Sequence, residues 1–243
     1  MSLAVAATPD IRAQAALLGS RPGVCLEERN FFHGVFITHA HVGHYVGLLQ
    51  FGKEALCTRQ LPVYCSARFA ELMRSNEPFR SLVVDERISL VVIAPGESIR
   101  LPGGASVTAI AVKHRSELSD TLAFIIRGGD AGGPSRGLLF CPDADDWSWP
   151  VEEALQGIDV ALLDGTFYSD EELPGRELST IPHPLISSSV DRLGALAATT
   201  RIFFTHFNHS NRLLVDAELL PPPFGRLEDG QEFDMSPGIA AAP

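Results

Sequence analysis

The sequence predicts an α/β fold, and three observations predict it. Strand-like and helix-like runs alternate along the chain without an internal repeat or a long linker. The 243 residues are 45% hydrophobic, enough to bury a full core. A short apolar run, Gly34-Val35-Phe36-Ile37, leads straight into a polar loop, as a buried strand does at its carboxyl end. This order fits a sandwich of two sheets with helices on both outer faces.

Taken in order, residues 3–7 read as a first short strand, 11–18 as a helix and 34–38 as the next strand. Apolar residues at helical spacing predict a helix over 45–56. A strand over 61–64 follows, then a helix over 66–75 with Ser66 as its N-cap. Further β-like runs lie at 88–93, 98–101, 105–112 and 121–127. The stretch Gly128-Gly129-Asp130-Ala131-Gly132-Gly133-Pro134 joins two strand-like runs instead of leading from strand to helix. It therefore predicts a hairpin loop and not a phosphate cradle. Buried strands at 138–141 and 160–163 flank a helix near 151–156. A helix near 187–198 and a strand over 201–205 precede the proline-broken Pro221-Pro222-Pro223. The expectation is one domain over residues 1–235, with 236–243 as a flexible tail.

Composition excludes several classes. A formal net charge of -11, with scattered Lys and Arg, argues against a nucleic-acid partner, which needs a clustered basic face. No apolar stretch is long enough to span a bilayer, and the opening residues lack the basic region of a signal peptide before Pro9-Asp10. A cytoplasmic protein with no membrane partner is expected. Cys25, Cys57, Cys65 and Cys141 form no C-x-x-C pair, so they read as reduced packing residues. Cys141 is the exception, two residues before Asp143 and placed to face a site.

The chemistry concentrates in Thr38-His39-Ala40-His41-Val42-Gly43-His44, which holds three of the chain's eight histidines. Alternate residues of an extended segment point the same way, so His39 and His41 reach one cation together. His44 falls in a first helical turn beside His41. Imidazoles at this spacing point to a metal; the alternative is three solvated or capping histidines.

The motif resembles the H-x-H-x-D-H signature of the metallo-β-lactamase superfamily, with Gly43 where the aspartate usually stands. Val112-Lys113-His114-Arg115-Ser116 through Thr121-Leu122-Ala123-Phe124 is similar to its second histidine block. Leu138-Leu139-Phe140-Cys141-Pro142-Asp143 is similar to the strand that delivers a bridging aspartate, and Ile202-Phe203-Phe204-Thr205-His206-Phe207 to the strand ending in the last histidine. The phrases Ala7-Thr8-Pro9-Asp10-Ile11-Arg12, Leu163-Asp164-Gly165-Thr166-Phe167-Tyr168 and Ile181-Pro182-His183-Pro184 narrow the likeness to pyrroloquinoline quinone biosynthesis protein B-like metallo-hydrolases. In that branch the first-motif aspartate can also be glycine. The resemblance spans nearly the whole chain. It implies an αββα sandwich of two mixed sheets with the amino-terminal strands shortened. One edge of the first sheet is then either short or filled by a partner chain in a homodimer.

The resemblance also implies the ligands. His39, His41 and His114 form one three-imidazole site with a position left for water, the open arrangement of catalytic zinc. Asp143 lies between it and a second site built from His44 and His206; the alternatives are a helix N-cap or turn role for Asp143 in Asp143-Ala144-Asp145-Asp146 and polar strand-end histidines at His114 and His206. Without a carboxylate at Gly43 the second site is expected to be weak or empty, unless Asp145 or Asp146 folds back to compensate. Fe2+ and Mn2+ are the alternatives to Zn2+. The expected activity is metal-dependent hydrolysis of a small ester, lactone, amide or phosphodiester by a metal-bound hydroxide. Asp143 is expected to accept the proton of that water. Asp164 holds a metal-bound imidazole or, alternatively, shapes a turn, and His183 in its Pro-His-Pro loop donates to a substrate oxyanion or, alternatively, is an exposed loop histidine. His209 and Asn211 are expected to line the pocket, His33 to lie on the surface, and Asp170-Glu171-Glu172 to form a solvated loop. An iron-dependent oxygenase or hydroxylase of cofactor biosynthesis, and a non-catalytic binding protein, are the competing functional classes.

Overall fold

Apolar, β-branched segments separated by helical crossovers favour parallel pairing, and four of them pair this way in the computed structural model. The structure describes residues 2–21, 30, 32–129, 136–148, 150–177 and 180–235. The expected tail over 236–243, residues 130–134 of the glycine-rich stretch, and Cys25 lie outside the described residues. Two compact units divide the chain: Met1–Ala94 with Ser116–Leu122, and Pro95–Arg115 with Ala123–Pro243.

In the first unit, β1 (Leu3–Val5), β2 (Gly34–Phe36), β3 (Leu61–Cys65) and β4 (Ile88–Val92) form a sheet in the order β1-β2-β3-β4. Every described register in it is parallel. The mixed strand directions expected of both sheets are therefore absent here, because helical crossovers connect all four strands: α1 (Ile11–Gly19), α2 (Val42–Tyr45), α3 (Ala67–Ser75) and α4 (Phe79–Val84). The single helix expected over 45–56 is instead α2 followed by a 3₁₀ helix, Val46–Phe51. Tertiary pairing explains the break: the Gly47 amide donates to Ala7 O at 2.9 Å, while Ala7 N donates to His44 O at 2.7 Å. Ser66 caps α3 as expected, its side chain accepting from Phe69 N. Ile11, Leu48, Phe51, Phe69 and Met73 bury against Val35, Val63, Cys65 and Ile88. Full burial of Leu48 and Phe51 contributes about 1.5–3 kcal/mol each, which anchors the segment carrying His44.

The second sheet has the order β11-β10-β9-β8-β7-β6-β5, and its strands lie in the second unit apart from the first two residues of β7. They are β5 (Ser98–Arg100), β6 (Ser106–Val112), β7 (Thr121–Arg127), β8 (Gly137–Cys141), β9 (Val160–Asp164), β10 (Arg201–Thr205) and β11 (Gly225–Arg226). This sheet is mixed as expected: β5–β6 and β7–β8 are antiparallel, while β8–β9, β9–β10 and β10–β11 are parallel. The strands that flank the glycine-rich stretch, β7 and β8, pair antiparallel; the hairpin loop expected between them lies outside the described residues. The long helix expected near 187–198 is α6 (Ile186–Leu193), after α5 (Val151–Leu155), with a separate 3₁₀ turn at Leu196–Ala198 beyond Gly194. Leu155, Ile186 and Leu193 pack on Leu139, Leu163, Ile202 and Phe204. Every residue of β9 is buried, so an apolar strand ends in a carboxylate, Asp164, with no access to water. No helix among the described residues is long and apolar enough to cross a membrane.

Candidate metal centre

The chain leaves the ladder of the first sheet once Ile37 N has bonded to Tyr64 O at 2.9 Å, and the histidines come next. His39 and His44 are buried and His41 is half-buried. Thr38 Oγ1 lies 3.0 Å from His39 Nδ1. A His39 that donates its Nδ1–H to this hydroxyl presents the Nε2 lone pair to the other side, where His41 Nδ1 sits 2.8 Å away. The His44 ring packs 4.3 Å from that of His39. His44 N bonds to His41 O at 2.9 Å, so His41 closes the first turn of α2 and presents its ring to His39, as the spacing predicts. His41 Nε2 is 3.8 Å from Glu117 Oε2, within the same unit. Outside its own turn, no atom of the described residues lies within 4 Å of where a Cβ on Gly43 would stand.

In the second unit the site residues follow strand ends. His114 lies two residues beyond β6, Asp143 two beyond β8, Asp164 ends β9 and His206 follows β10. The parallel run of β8, β9 and β10 brings the last three to one edge. Asp143 is 3% exposed and divides its carboxylate: Oδ1 lies 3.6 Å from His114 Nε2, and Oδ2 lies 3.6 Å from His206 Nε2. These separations are too long for hydrogen bonds. They match the edge of about 3.3 Å between ligands that each sit about 2.0 Å from a tetrahedral cation. The His39–His41 nitrogens need to part by only a few tenths of an ångström to meet the same edge. The donor set thus fits divalent metal. Asp145 does not compensate at the second site: its Oδ1 lies 3.4 Å from His114 Nδ1, while the opposite ring nitrogen faces Asp143. Asp146 does not either, and is held by Ser148 N at 2.8 Å and Lys113 Nζ at 3.3 Å.

Asp164 is the hub of this half. Its Oδ1 accepts from Thr166 N at 2.9 Å and Thr166 Oγ1 at 2.7 Å; its Oδ2 accepts from Ala144 N at 3.0 Å and meets His183 Nδ1 at 2.7 Å. It is a buried partner of an imidazole, and not the simple turn former that was its alternative reading. Because the Thr166 hydroxyl donates to Asp164, it accepts from His206 Nδ1 at 3.0 Å. The imidazole proton of His206 is thereby fixed on Nδ1, and Nε2 is turned toward Asp143 as an acceptor. Thr166 carries no signal of this role in sequence beyond its place in the phrase Leu163-Asp164-Gly165-Thr166. Gly165 is required for the close approach: its N bonds to Thr205 O at 2.8 Å, and a Cβ there would meet Phe204 Cβ at 2.9 Å. His206 itself holds φ +62°, a left-handed conformation uncommon for a side chain of this kind.

Other expectations are corrected or met. Asn211 supports the loop: Nδ2 donates to Gly165 O at 2.7 Å and to Thr166 O at 3.2 Å, and Oδ1 accepts from Leu213 N. Its amide is fully engaged by backbone, so pocket lining is not its task. His209 is exposed. Cys141 is wholly buried with Sγ 3.9 Å from Asp143 O, and burial pushes its thiol pKa well up, which makes it a packing residue. His33 is at the surface, accepting from Ser2 N at 3.0 Å. Asp170–Glu172 forms a 3₁₀ turn on the solvent side, with Glu172 accepting from Tyr168 N.

Burial holds the His114 pKa below its ordinary value of 6.5, against the opposing charge of Asp143. The neutral ring this favours is the form that binds metal. Burial also acts to lower the His183 pKa, but the hydrogen bond and charge of Asp164 outweigh it and the net shift is upward. A group whose folded pKa is raised stabilises the fold fully below its unfolded pKa and loses that contribution as pH rises through the folded value. The stability difference between metal-stripped wild type and His183→Gln is therefore expected to be largest below pH 6.5 and to shrink above it. Urea titrations at several pH values check this; a difference that grows with pH contradicts it.

A family model described as a beta-lactamase superfamily domain matches residues 3–207. The chain is 24% identical over 234 residues to coenzyme PQQ synthesis protein B of Methylococcus capsulatus, covering 86% of this chain and 73% of that protein. It is 26% identical over 239 residues to coenzyme PQQ synthesis protein B of Gluconacetobacter diazotrophicus, covering 87% and 74%. Among solved structures, Zn2+-bound PqqB from Methylobacterium extorquens aligns with a TM-score of 0.76 at 22% identity, over 96% of this chain and 83% of that one. A diphosphatase from the PhnP family aligns with a TM-score of 0.67 at 18% identity, over 94% and 77%. The two sheets and their helices have the metallo-β-lactamase fold.

Proposed function

Because this chain belongs to the beta-lactamase superfamily, we propose that it is a metal-dependent hydrolase of a small ester, lactone, amide or phosphodiester. We assign metal binding to His39, His41, His44, His114, Asp143 and His206, the residues that match the superfamily's ligand motifs. A divalent cation held there supplies a Lewis acid for a carbonyl or phosphoryl oxygen and a water of lowered pKa. Zinc is the first choice, supported by the zinc named for the Methylobacterium extorquens protein. Gly43 offers no carboxylate, so a second ion is expected to be weakly held.

The observation that carries hydrolysis is the buried Asp164 carboxylate 2.7 Å from His183 Nδ1. With Nδ1–H held by Asp164, His183 has Nε2 to give or take a proton at a leaving group or oxyanion. Asp143 presents an oxygen to the proton of an attacking water. A net charge of -11 favours a small substrate over nucleic acid, and a cytoplasmic location agrees with thiols kept reduced. The name coenzyme PQQ synthesis protein B carried by the relatives supports a second reading, a role in cofactor synthesis, and three histidines with open positions suit iron as well as zinc, which gives that reading the form of an iron-dependent oxygenase or hydroxylase.

Protein purified without added metal decides between these readings. Elemental analysis should find about one tightly held zinc per chain, as an open three-imidazole site retains. Turnover of p-nitrophenyl acetate, a simple lactone or bis(p-nitrophenyl) phosphate should be lost to chelator and restored by zinc. Iron with oxygen uptake would establish the second reading instead. Bound zinc with no turnover across the panel would remove the hydrolase assignment.

A further inference from the structure

We propose that Ser119 is a positioning residue for the metal-binding pair His39 and His41. This rests on the metal-binding reading above, and its test separates the two.

Residues Ser116–Leu122 belong to the first unit, although the chain on either side belongs to the second. Within that unit they form a strap over the histidine loop. Leu122 N donates to Thr38 O at 2.9 Å, and Ala40 N donates to Ser119 Oγ at 2.9 Å. Thr38 O belongs to the peptide that precedes the His39 Cα, and Ala40 N to the peptide that follows it. Both planes flanking His39 are thus held by the strap, which sets the backbone dihedrals of His39 and the direction of its ring. The peptide at Ala40 also sets the direction in which the chain enters His41. Ser119 is 2% exposed and Ala40 2%, so water is a poor substitute for this bond. The hydroxyl is oriented for the task, because its proton goes to Asp120 O at 3.0 Å, leaving a lone pair for the Ala40 amide. Arg68 fixes the strap in turn, donating to Ser116 O at 3.0 Å and pairing with Asp120 at 3.4 Å. A misdirected imidazole weakens metal binding even when every ligand is present, as loss of supporting hydrogen bonds around metal ligands does.

The test measures zinc affinity by competition with a chromogenic chelator in wild type, Ser119→Ala, Ser119→Thr and Thr58→Val. Thr58 is the control: a buried hydroxyl in the same unit, within reach of Arg87 O at 2.8 Å and Phe51 O at 3.2 Å, whose removal costs stability without touching the strap or residues 38–41. Ser119→Ala is expected to bind zinc roughly 10- to 100-fold more weakly. Ser119→Thr, which keeps the hydroxyl, and Thr58→Val should stay within about threefold of wild type. An alanine variant within that range, a threonine variant as weak as alanine, or a Thr58→Val protein equally impaired would each overturn the proposal. Should Ser119→Ala not fold, amide exchange in wild type serves instead: zinc is expected to slow exchange of the Ala40 amide, and unchanged exchange would overturn the role. Wild type that binds no zinc would overturn the metal reading itself, and this inference with it.

Discussion

Asp164→Ala is expected to lower the free energy of unfolding by about 3–5 kcal/mol and hydrolytic turnover by on the order of 10²–10⁴. The carboxylate is fully buried, and its two oxygens meet Ala144 N, Thr166 N, Thr166 Oγ1 and His183 Nδ1 at 2.7–3.0 Å. Alanine leaves those donors in a dry interior, where each unsatisfied group costs about 1–3 kcal/mol. Asp164→Asn separates stability from chemistry. Its oxygen still accepts from Thr166, but its amide faces Ala144 N–H and His183 Nδ1, so His183 must accept through Nδ1 and carry its proton on Nε2. Part of the stability should return while turnover remains low. Urea unfolding and steady-state rates on an activated ester give both quantities; wild-type turnover in the asparagine variant would exclude the proton role of His183.

Gly47→Ala should be as damaging to the first unit, by on the order of 4 kcal/mol or more. An added Cβ would stand 2.1 Å from Thr8 O and 2.7 Å from Ala7 O, both backbone atoms that no rotamer change moves. The same contact pairs Gly47 N with Ala7 O and Ala7 N with His44 O, so relieving the clash displaces His44. Zinc retention and stability should fall together. Gly43→Ala is the matched control, with no atom of the described residues outside its own turn within 4 Å of its new methyl. In the first turn of α2 it should change stability by less than about 1 kcal/mol, in the stabilising direction. Thermal unfolding of both variants checks the contrast, and a mild Gly47→Ala would mean that the turn relaxes without cost.

What sequence made legible was whatever its signal keeps close together along the chain. The strands over 121–127 and 201–205 are dense in β-branched and aromatic residues, and they form where expected. His39, His41 and His44 announce themselves by spacing, and the structure converges their rings within one unit. Roles created by distant partners were not legible. Thr166 matters because His183 and His206 arrive from 17 and 40 residues away, and Ser119 because Ala40 lies 79 residues back. Tertiary pairing also overrode periodicity: apolar spacing predicts one helix through 45–56, whereas the bond from Gly47 to Ala7 O ends it early. For Asn211 the sequence predicts pocket lining, because a polar residue near a histidine carries no sign that its amide closes a backbone turn. The six-residue α4 and two-residue β11 are too short to leave a periodic signature.

The discontinuous makeup of the first unit has a consequence for the order in which the protein matures. A nascent chain that has reached Ala94 already contains all four strands of the first sheet and all three clustered histidines. The acceptor for Ala40 N and the donor for Thr38 O are still untranslated; they arrive with Ser119 and Leu122, after β5 and β6 have been made. Vectorial synthesis therefore completes the four strands before the groups that hold the histidine loop exist, so a chain ending near residue 100 would carry all three clustered imidazoles without the two bonds that aim them.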